Sequence, residues 1–354
     1  MKSRTDAMDS FDITLTASDQ SRHIVQCGRR LRAIAGRRSV FEGIYEGRPV
    51  IVKRFEDIFG RFRCRREQRG LERLRRCGLA APEVLLAGKD DKGHYVLVIE
   101  KIENAVDVLD ALKSAQSPQA AESILLAIVS YVARMHQAGV VQLDLHSGNF
   151  LVSESEIYAI DAAKLKFRSK PISFDDSCRQ LAMLLTGIPA RFLEKEPELL
   201  RLYGRARGLN QTSDWYDRLQ TLKARRRKAY LPKALKKTLR NSKRFFVLNE
   251  RNYRGVFLKE AFNAESARRL IELLENRKAD DERTFILDFE GRQYKVMQFK
   301  PKDKLQALQW RLFGSPARRR WLDEWERFYI DPVIQPPVGI LESSCVSFSL
   351  KQWI

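Results

Sequence analysis

Apolar residues along the first half of the chain follow two different spacings, and their order predicts a mixed fold. Runs rich in β-branched residues predict strands within 31–55, with turns at 36–39 and 46–49. An apolar spacing of three to four residues then predicts a helix over 65–77, which Gly78 ends. A small sheet with one helix is therefore expected first.

The next segments change from strand-like to mostly helical patterns. Residues 95–102 predict a strand, and the strongly apolar segment 120–136 predicts a long helix. Two short strands are expected at 149–152 and 157–160, and another apolar helix at 177–185. A small sheet followed by a helical half predicts an α+β fold with two lobes and a cleft between them.

Composition limits the class of protein. A chain of 354 residues with 44% hydrophobic residues can bury a large core and can form two compact units. Its five cysteines are scattered and never spaced as C-x-x-C, which favours reduced thiols in a cytosolic protein. With four histidines in the chain, a histidine-rich metal centre is not expected.

Neither the N-terminus nor the most apolar run of the chain has the pattern of a targeting or membrane-spanning sequence. Residues 1–20 contain acidic residues and have no apolar core, so they do not resemble a secretory signal. The best apolar run, 124–133, is too short to span a bilayer. We therefore expect a protein that does not cross a membrane.

The charge calls for an anionic partner. The net charge is +20 and the isoelectric point is near 9.9, which suits nucleic acid, an anionic membrane surface or a phosphorylated substrate. Residues 218–249 include no acidic side chain and are interrupted by Pro232. This basic run is interpreted as the end of one domain and the connection to another.

A segment in the second part of the chain is similar in sequence to one in the first part. Residues 290–299 align without a gap with 46–55, and a helix (316–329) and a strand-like segment (345–354) follow in the same order as after Phe55. The pattern indicates a second copy of the small sheet, with chance similarity as the alternative. The predicted domains are an N-terminal extension, a first domain, the basic connection and a degenerate small-lobe-like unit, over 1–25, 26–230, 231–249 and 250–354.

A strand lysine and a helix glutamate of the first domain suit phosphoryl transfer, which depends on positioning and charge neutralisation. Lys53 follows three β-branched strand residues and is a candidate to contact nucleotide phosphates, although a solvent-facing lysine on an edge strand is the alternative. Glu67 and Glu72 compete to pair with Lys53. At about 100° per residue, Glu67 shares the apolar face of its helix and Glu72 does not, so Glu67 is preferred.

A second group of candidates lies in Gln142–Val152 and at the end of the following strand. Asp144 is the candidate to accept the proton of the acceptor hydroxyl, and Asn149 and Asp161 offer oxygen ligands for Mg²⁺. Asp, Ser, Gly and Asn also form ordinary turns. A plain turn would leave unexplained the preceding apolar helix and the two strands that end in Asp161.

These residues together resemble the protein-kinase-like superfamily. Asp144-Leu145-His146-x-x-Asn149 is typical of its small-molecule branches, and it is most similar to the bacterial lipopolysaccharide kinase family, which phosphorylates inner-core heptose or Kdo sugars. The pattern from Glu67 through Gly70 and Leu71 to Pro82 supports this branch. The resemblance covers 28–230, with a weaker small-lobe echo after 243. It implies a two-lobed protein-kinase-like fold that uses ATP and Mg²⁺.

The sequence departs from the family pattern at two places. Gln142 stands where a histidine is usual, and its amide is still expected to hydrogen-bond the loop. Asp161-Ala162-Ala163 keeps the metal ligand and lacks the usual aromatic residue. Met297 occupies the position of Lys53 in the second unit, so that unit is not expected to catalyse alone.

The resemblance implies a kinase that acts on a sugar hydroxyl of the lipopolysaccharide core, in the cytoplasm and peripheral to the inner membrane. The basic residues after Asp161 are expected to dock an anionic acceptor, and basic charge is expected to retain the protein at an anionic membrane surface. Nucleic acid is not favoured, because few aromatic residues interleave with the basic run. The alternatives are another small-molecule kinase, such as an aminoglycoside-type enzyme, and a pseudokinase scaffold. The acceptor-docking residues are Lys164, Lys166, Arg168 and Lys170.

Overall fold

The computed structural model shows two compact units with mixed α+β structure, which confirms the predicted class. The first unit comprises Met1–Ile188 and Phe192–Lys223, and the second comprises Pro189–Arg191 and Ala224–Ile354. The structure describes residues 10–154, 156–209, 214–276, 283–330 and 335–353.

The first unit begins with six antiparallel strands that form a closed sheet. Their order is β1-β2-β3-β4-β6-β5, and β5 pairs with β1 to close it. Leu15, Val52 and Val96 are fully buried in its interior, because alternate side chains of a strand point to the same face. The strands are β1 (Phe11–Ala17), β2 (Arg22–Ile34), β3 (Arg38–Tyr45), β4 (Arg48–Phe55), β5 (Val84–Asp90) and β6 (Tyr95–Glu100).

The structure corrects the predicted N-terminal extension over 1–25. Residues 11–25 form β1 and the start of β2, and Ile13 pairs with Val25 in their antiparallel register. Ile13 and Leu15 alternate with polar residues, so one face of β1 is apolar and buried. This segment therefore belongs to the closed sheet.

Helix α1 (Gly60–Arg76) begins five residues before the predicted start. Its buried stripe includes Cys64, Glu67, Leu71 and Leu74, at the spacing of one helix face. Burial raises the pKa of the Cys64 thiol to about 12. The stripe packs α1 against β4, β5 and β6 and thereby fixes Glu67 over the sheet.

The rest of the first unit is mostly helical. The apolar helix α3 lies in its core, with Ile128 and Tyr131 fully buried. Strand β9 pairs with β10 and β7, and β8 pairs with β11, so two small sheets carry the segment 140–167. The elements are β7 (Val106–Asp107), α2 (Val108–Ser114), α3 (Pro118–Gln137), β8 (Val140–Gln142), β9 (Phe150–Ser153), β10 (Glu156–Ala159), β11 (Leu165–Phe167), α4 (Phe174–Thr186) and α5 (Glu196–Ala206).

The second unit is an open antiparallel sheet covered by helices. Its order is β12-β13-β16-β17-β15-β14, and Phe257, Trp321 and Trp325 are fully buried in its core. Helix α6 (Asp214–Thr238) runs through Pro232, so the interruption predicted there is wrong. The following elements are β12 (Phe245–Glu250), β13 (Tyr253–Leu258), α7 (Ala264–Asn276), β14 (Thr284–Phe289), β15 (Arg292–Phe299), α8 (Lys304–Phe313), α9 (Pro316–Ile330), β16 (Gly339–Glu342) and β17 (Ser347–Gln352).

Part of the second sheet has the same topology as part of the first. The order β3-β4-β6-β5 in the first unit corresponds to β14-β15-β17-β16 in the second, and a helix follows the second strand in each. The hairpin turns also agree. Glu46 and Gly47 have φ of 50° and 74°, and Glu290 and Gly291 have φ of 51° and 73°. Two successive positive φ values are those of the tight turn that suits the twist of a hairpin.

Among the described residues, no helix is both long enough and apolar enough to cross a membrane.

Candidate functional site

Lys53 lies in the middle of the sheet. It is on β4, paired with Val40 of β3 and Leu97 of β6, so it is not an edge-strand lysine. Its exposed fraction is 9%, and its Nζ donates a hydrogen bond of 3.0 Å to the carbonyl oxygen of Ile160. A buried ammonium group requires an anionic partner.

Glu67 supplies that partner. Its side chain is fully buried, and its Oε1 accepts a hydrogen bond from Lys53 Nζ. Arg38 Nη1 lies 3.7 Å from the other carboxylate oxygen. Glu72 lies on a different face of α1, where it accepts from Gln68, so the structure puts Glu67 rather than Glu72 beside Lys53.

The Asp144 loop is fixed by bonds to its own backbone. Asn149 Nδ2 donates to the carbonyl oxygen of Asp144 at 2.7 Å, and the Leu143 N–H donates to the carbonyl of Lys164 at 3.1 Å. Leu145 and Phe150 are fully buried and anchor the loop on either side of Asn149. The Asp144 carboxylate is therefore presented from a loop whose backbone has little freedom.

Lys164, one of the predicted acceptor-docking residues, makes a contact with Asp144 that the sequence did not predict. Its Nζ donates to Asp144 Oδ2 at 2.7 Å. The contact arises because β11 pairs with β8, which sets Leu165 opposite Gln142. The sequence offered a signal, a lysine three residues after Asp161, but it gave no indication of this strand pairing.

Gln142 forms hydrogen bonds in the protein interior, one of them to the backbone of Asp161. Its Nε2 donates to the carbonyl oxygen of Asp161 at 3.0 Å, and its own N–H donates to Gln180 Oε1 at 3.2 Å. The side chain is 1% exposed, so both bonds lie in the protein interior. The hydrogen bond expected from this glutamine is made to the backbone of Asp161 and not to the Asp144 loop, and it fixes the backbone at Asp161.

These elements surround one cleft of about 610 Å³, which we call the Lys53 cleft. This volume is within the usual range for small-molecule sites. Lys53, Asp144, Asn149 and Asp161 all line it, and Glu67 stands behind Lys53. Its apolar walls are formed by side chains of the closed sheet and of the 151–160 hairpin: Val40, Ile51, Ile99, Leu151 and Ile160.

The chemistry of the donor set fits Mg²⁺ bound together with phosphates. The Asn149 amide nitrogen is used by Asp144, so its oxygen is the atom left to face a cation. Asp161 adds a carboxylate in the same cleft. In the part of the chain described, no three side chains of His, Cys, Asp or Glu lie close enough together to bind a metal ion by themselves. Mg²⁺ typically binds one or two carboxylates and takes its remaining ligands from substrate phosphates and water.

The four basic residues after Asp161 do not act as one group. Lys164 lines the Lys53 cleft, whereas Arg168 forms an ion pair of 2.7 Å with Asp176 on α4. Lys166 and Lys170 are exposed. The structure therefore brings only Lys164 of these four to the cleft.

A known family model matches the part of the chain that carries this site. Residues 34–182 match the model of the Lipopolysaccharide kinase (Kdo/WaaP) family. All five candidate site residues, from Lys53 to Asp161, lie within that segment. The match confirms the predicted resemblance to this family.

A mouse protein, EKC/KEOPS complex subunit Tp53rkb, is 30% identical over 152 residues, which cover 39% of this chain and 61% of the relative. The chain therefore spans less than two thirds of that relative's length. A solved structure from Ralstonia eutropha, provisionally described as an aminoglycoside phosphotransferase, has a TM-score of 0.44 and 13% identity, covering 59% of this chain and 83% of that one. A likeness at that level adds no argument about function.

Proposed function

We propose that this protein is an ATP- and Mg²⁺-dependent kinase that phosphorylates a heptose or Kdo hydroxyl of the lipopolysaccharide inner core. The observation that supports this most is the Lys53 cleft, where a paired lysine faces Asp144, Asn149 and Asp161. The reaction is placed at the cytoplasmic face of the membrane, where such an acceptor is assembled on lipid. The two-lobed protein-kinase-like architecture is part of the same proposal.

Asp144 is assigned to orient the acceptor hydroxyl and take its proton. The acceptor oxygen forms a bond to the γ-phosphorus, the bond from that phosphorus to the β–γ bridging oxygen breaks, and ADP leaves. Lys164, at 2.7 Å from Asp144 Oδ2, is placed to stabilise negative charge on the transferred group. This assignment rests on the position of Lys164, which belongs to the basic segment after Asp161.

Lys53 and Glu67 are assigned to the nucleotide. Lys53 would contact phosphate oxygens, and Glu67 would hold the ammonium in the direction of the cleft. Asn149 and Asp161 would hold Mg²⁺, which when bound neutralises phosphate charge.

The second unit is proposed to be a degenerate small lobe. Its β14-β15-β17-β16 order and its matching hairpin turn support a common origin with the first sheet. Met297 lies in β15 opposite Thr284, as Lys53 lies in β4 opposite Val40. A thioether carries no charge, so this unit would not bind phosphates in the same way. The catalytic domain is proposed to end near residue 230 and the degenerate unit to begin near 250.

The test is an Asp144→Asn variant, which keeps the size of the side chain and removes the base. Mass spectrometry of core oligosaccharide from cells that carry only this variant should show loss of one phosphate. Asp110→Asn is the matched control, because Asp110 is an exposed carboxylate of α2 that pairs with Lys113. Unchanged core phosphate with Asp144→Asn would rule out the assigned site, and unchanged phosphate in a full deletion would rule out the acceptor.

A pseudokinase scaffold is the second candidate. It is favoured by the similarity to a protein named as a complex subunit. Equilibrium binding of ATP with and without Mg²⁺ separates the two candidates, because a scaffold of this kind would bind the nucleotide weakly or without dependence on Mg²⁺. The kinase is favoured if the natural protein binds ATP more tightly with Mg²⁺ than without it and if Asp161→Asn lowers that affinity.

A further inference from the structure

Helix α1 carries a row of arginines that the proposed reaction does not use. Arg61, Arg65, Arg69 and Arg73 recur every fourth residue, which places them on one face at steps of about 6 Å. All four are exposed. Within the described residues, none of them forms an ion pair with a carboxylate. Like charges at this spacing destabilise a helix, so the row has a cost that ion pairing within the described residues does not offset.

The row forms one wall of a groove of about 640 Å³, which we call the arginine groove. The groove is also lined by Ala162, Leu165 and Phe167, in the segment that follows Asp161. The guanidinium of Arg73 lies over the Phe167 ring at 4.1 Å from its centroid. The groove therefore combines planar cations with apolar side chains.

The end of the groove near the start of α1 is apolar and exposed. Ile58 is 92% exposed, Phe59 58% and Phe62 63%, and all three line the groove. Single exposed apolar residues are ordinary, but a contiguous group beside cations indicates an interaction surface.

We propose that the arginine groove binds the phosphate headgroups of anionic membrane lipids, with Ile58, Phe59 and Phe62 inserted among the acyl chains. This rests on the proposed function, in which the acceptor lies at a membrane, and it assigns the surface that meets that membrane. Arginine forks match phosphate geometry through paired N–H donors. Basic residues beside aromatic and aliphatic ones are typical of segments that lie in the headgroup region.

The apolar group favours lipid over nucleic acid as the occupant. Nucleic acid would use the arginines and could stack bases on Phe59 and Phe62. It offers no apolar phase for Ile58, which is aliphatic and the most exposed of the three. A bilayer satisfies both the cations and the aliphatic side chain.

Vesicle sedimentation tests the cationic part with the full chain. Vesicles of phosphatidylcholine with about one third phosphatidylglycerol should bind the protein, and pure phosphatidylcholine vesicles should not. Arg61→Gln/Arg65→Gln should lower the partition coefficient about 10-fold or more, given the usual contribution of one basic residue at an anionic surface. Arg225→Gln/Arg226→Gln is the matched control, since it removes the same charge from exposed positions of α6 and should change binding less than about 3-fold.

The apolar part is tested with Ile58→Ser/Phe62→Ser on the same vesicles. Its binding should become weaker and more easily removed by salt, because only screened charge attraction remains. Circular dichroism of each variant checks the fold, and the exposure of all four substituted residues makes folding failure unexpected. Equal loss in the α6 control, or no loss in either groove variant, overturns the proposal.

Other ligands are separate outcomes. Inorganic phosphate and chloride are compared as competitors at equal ionic strength. If phosphate releases the protein from vesicles no better than chloride does, the result supports a lipid surface. Tight binding of free phosphate, or of single-stranded RNA, without vesicle binding overturns the lipid assignment. Asp144→Asn should still bind vesicles, so failure of the kinase assignment and failure of this one are told apart.

Discussion

At the scale of single residues, the buried pair of Lys53 and Glu67 links stability to activity. Removing one partner of such a pair leaves an uncompensated charge and costs about 3–5 kcal/mol, whereas replacing both partners with neutral groups of similar volume is often tolerated. The first sheet therefore needs both residues or neither, and the second sheet has Met297 in place of the lysine.

Lys53→Met should lower both the melting temperature and phosphoryl transfer, the latter about 100-fold or more. Lys53→Met/Glu67→Gln should regain most of the lost stability, because no buried charge is left alone, but should stay inactive. Thermal denaturation and turnover measured on both variants check this. A double variant that is as unstable as the single one would contradict it.

His136 gives a residue-scale prediction about pH. It is fully buried in α3, its Nδ1 lies 2.6 Å from Tyr203 Oη, and burial together with the nearby Arg207 lowers its pKa to about 3. Between pH 6.5 and pH 3 the unfolded chain binds a proton at this residue and the folded chain does not. Its contribution to the free energy of unfolding therefore falls as the pH falls, by about 1.4 kcal/mol per pH unit.

His136→Gln should remove that slope. Chemical denaturation from pH 7 to pH 4.5 should show a shallower pH dependence for the variant than for the natural protein, by one proton. Carboxylates titrate in both proteins, so the difference between the two curves is the quantity to measure. Parallel curves would show that His136 is not neutral in the folded state.

Much of the candidate site could be predicted at this scale. Lys53, Glu67, Asp144, Asn149 and Asp161 were predicted from local spacing, and the structure brings all five to one place. Their chemical roles stay predictions. The contact of Lys164 with Asp144 and the approach of Arg38 to Glu67 were not predicted, because each depends on strand pairing and packing that no local pattern reveals.

At the scale of elements, α1 is positioned by an unusually close contact at Gly70. A Cβ added there would lie 2.4 Å from the carbonyl oxygen and 2.7 Å from the Cβ of Ala162. The helix can approach the segment after Asp161 only because this side chain is absent. The same helix carries Glu67, so the contact sets the position of the carboxylate that holds Lys53.

Gly70→Ala should therefore reduce turnover and stability, although alanine favours a helix by about 1 kcal/mol over glycine. The backbone of α1 must move away from Ala162 and take Glu67 with it. Glu72→Ala is the control, on another face of the same helix and without that contact. A variant as active as the control and more stable than the natural protein would show that α1 tolerates the shift.

The elements most poorly predicted were those without strong local signals. Strand β1 was missed, although Ile13 and Leu15 alternate with polar residues, because acidic and polar neighbours made the segment look like an extension. Helix α6 was not predicted, because its basic run was interpreted as a connection between domains that Pro232 interrupts, and proline removes a helix hydrogen bond. The long apolar helix α3 and the hairpin at Glu46–Gly47 were placed well, because periodicity and turn residues determine them locally.

At the scale of the whole molecule, the two units are alike in part of their topology and different in chemistry. Hydrogen exchange with a non-hydrolysable ATP analogue and Mg²⁺ should protect segments 38–55 and 142–161. Segment 284–299 should be unaffected, because Met297 provides no ammonium group. Lys53→Ala should abolish the protection, and protection of the second segment in the natural protein would show that the degenerate unit binds nucleotide.

The bond between Lys53 and the carbonyl of Ile160 has a last consequence. An ammonium group has three N–H donors. Among the described residues, Glu67 accepts one and Ile160 another. One N–H of Lys53 is therefore left to bind an oxygen of the ligand. The direction of this N–H, and not the positive charge alone, then determines where that oxygen binds. Lys53→Arg would keep the charge, yet its flat five-donor fork could not reproduce that single direction.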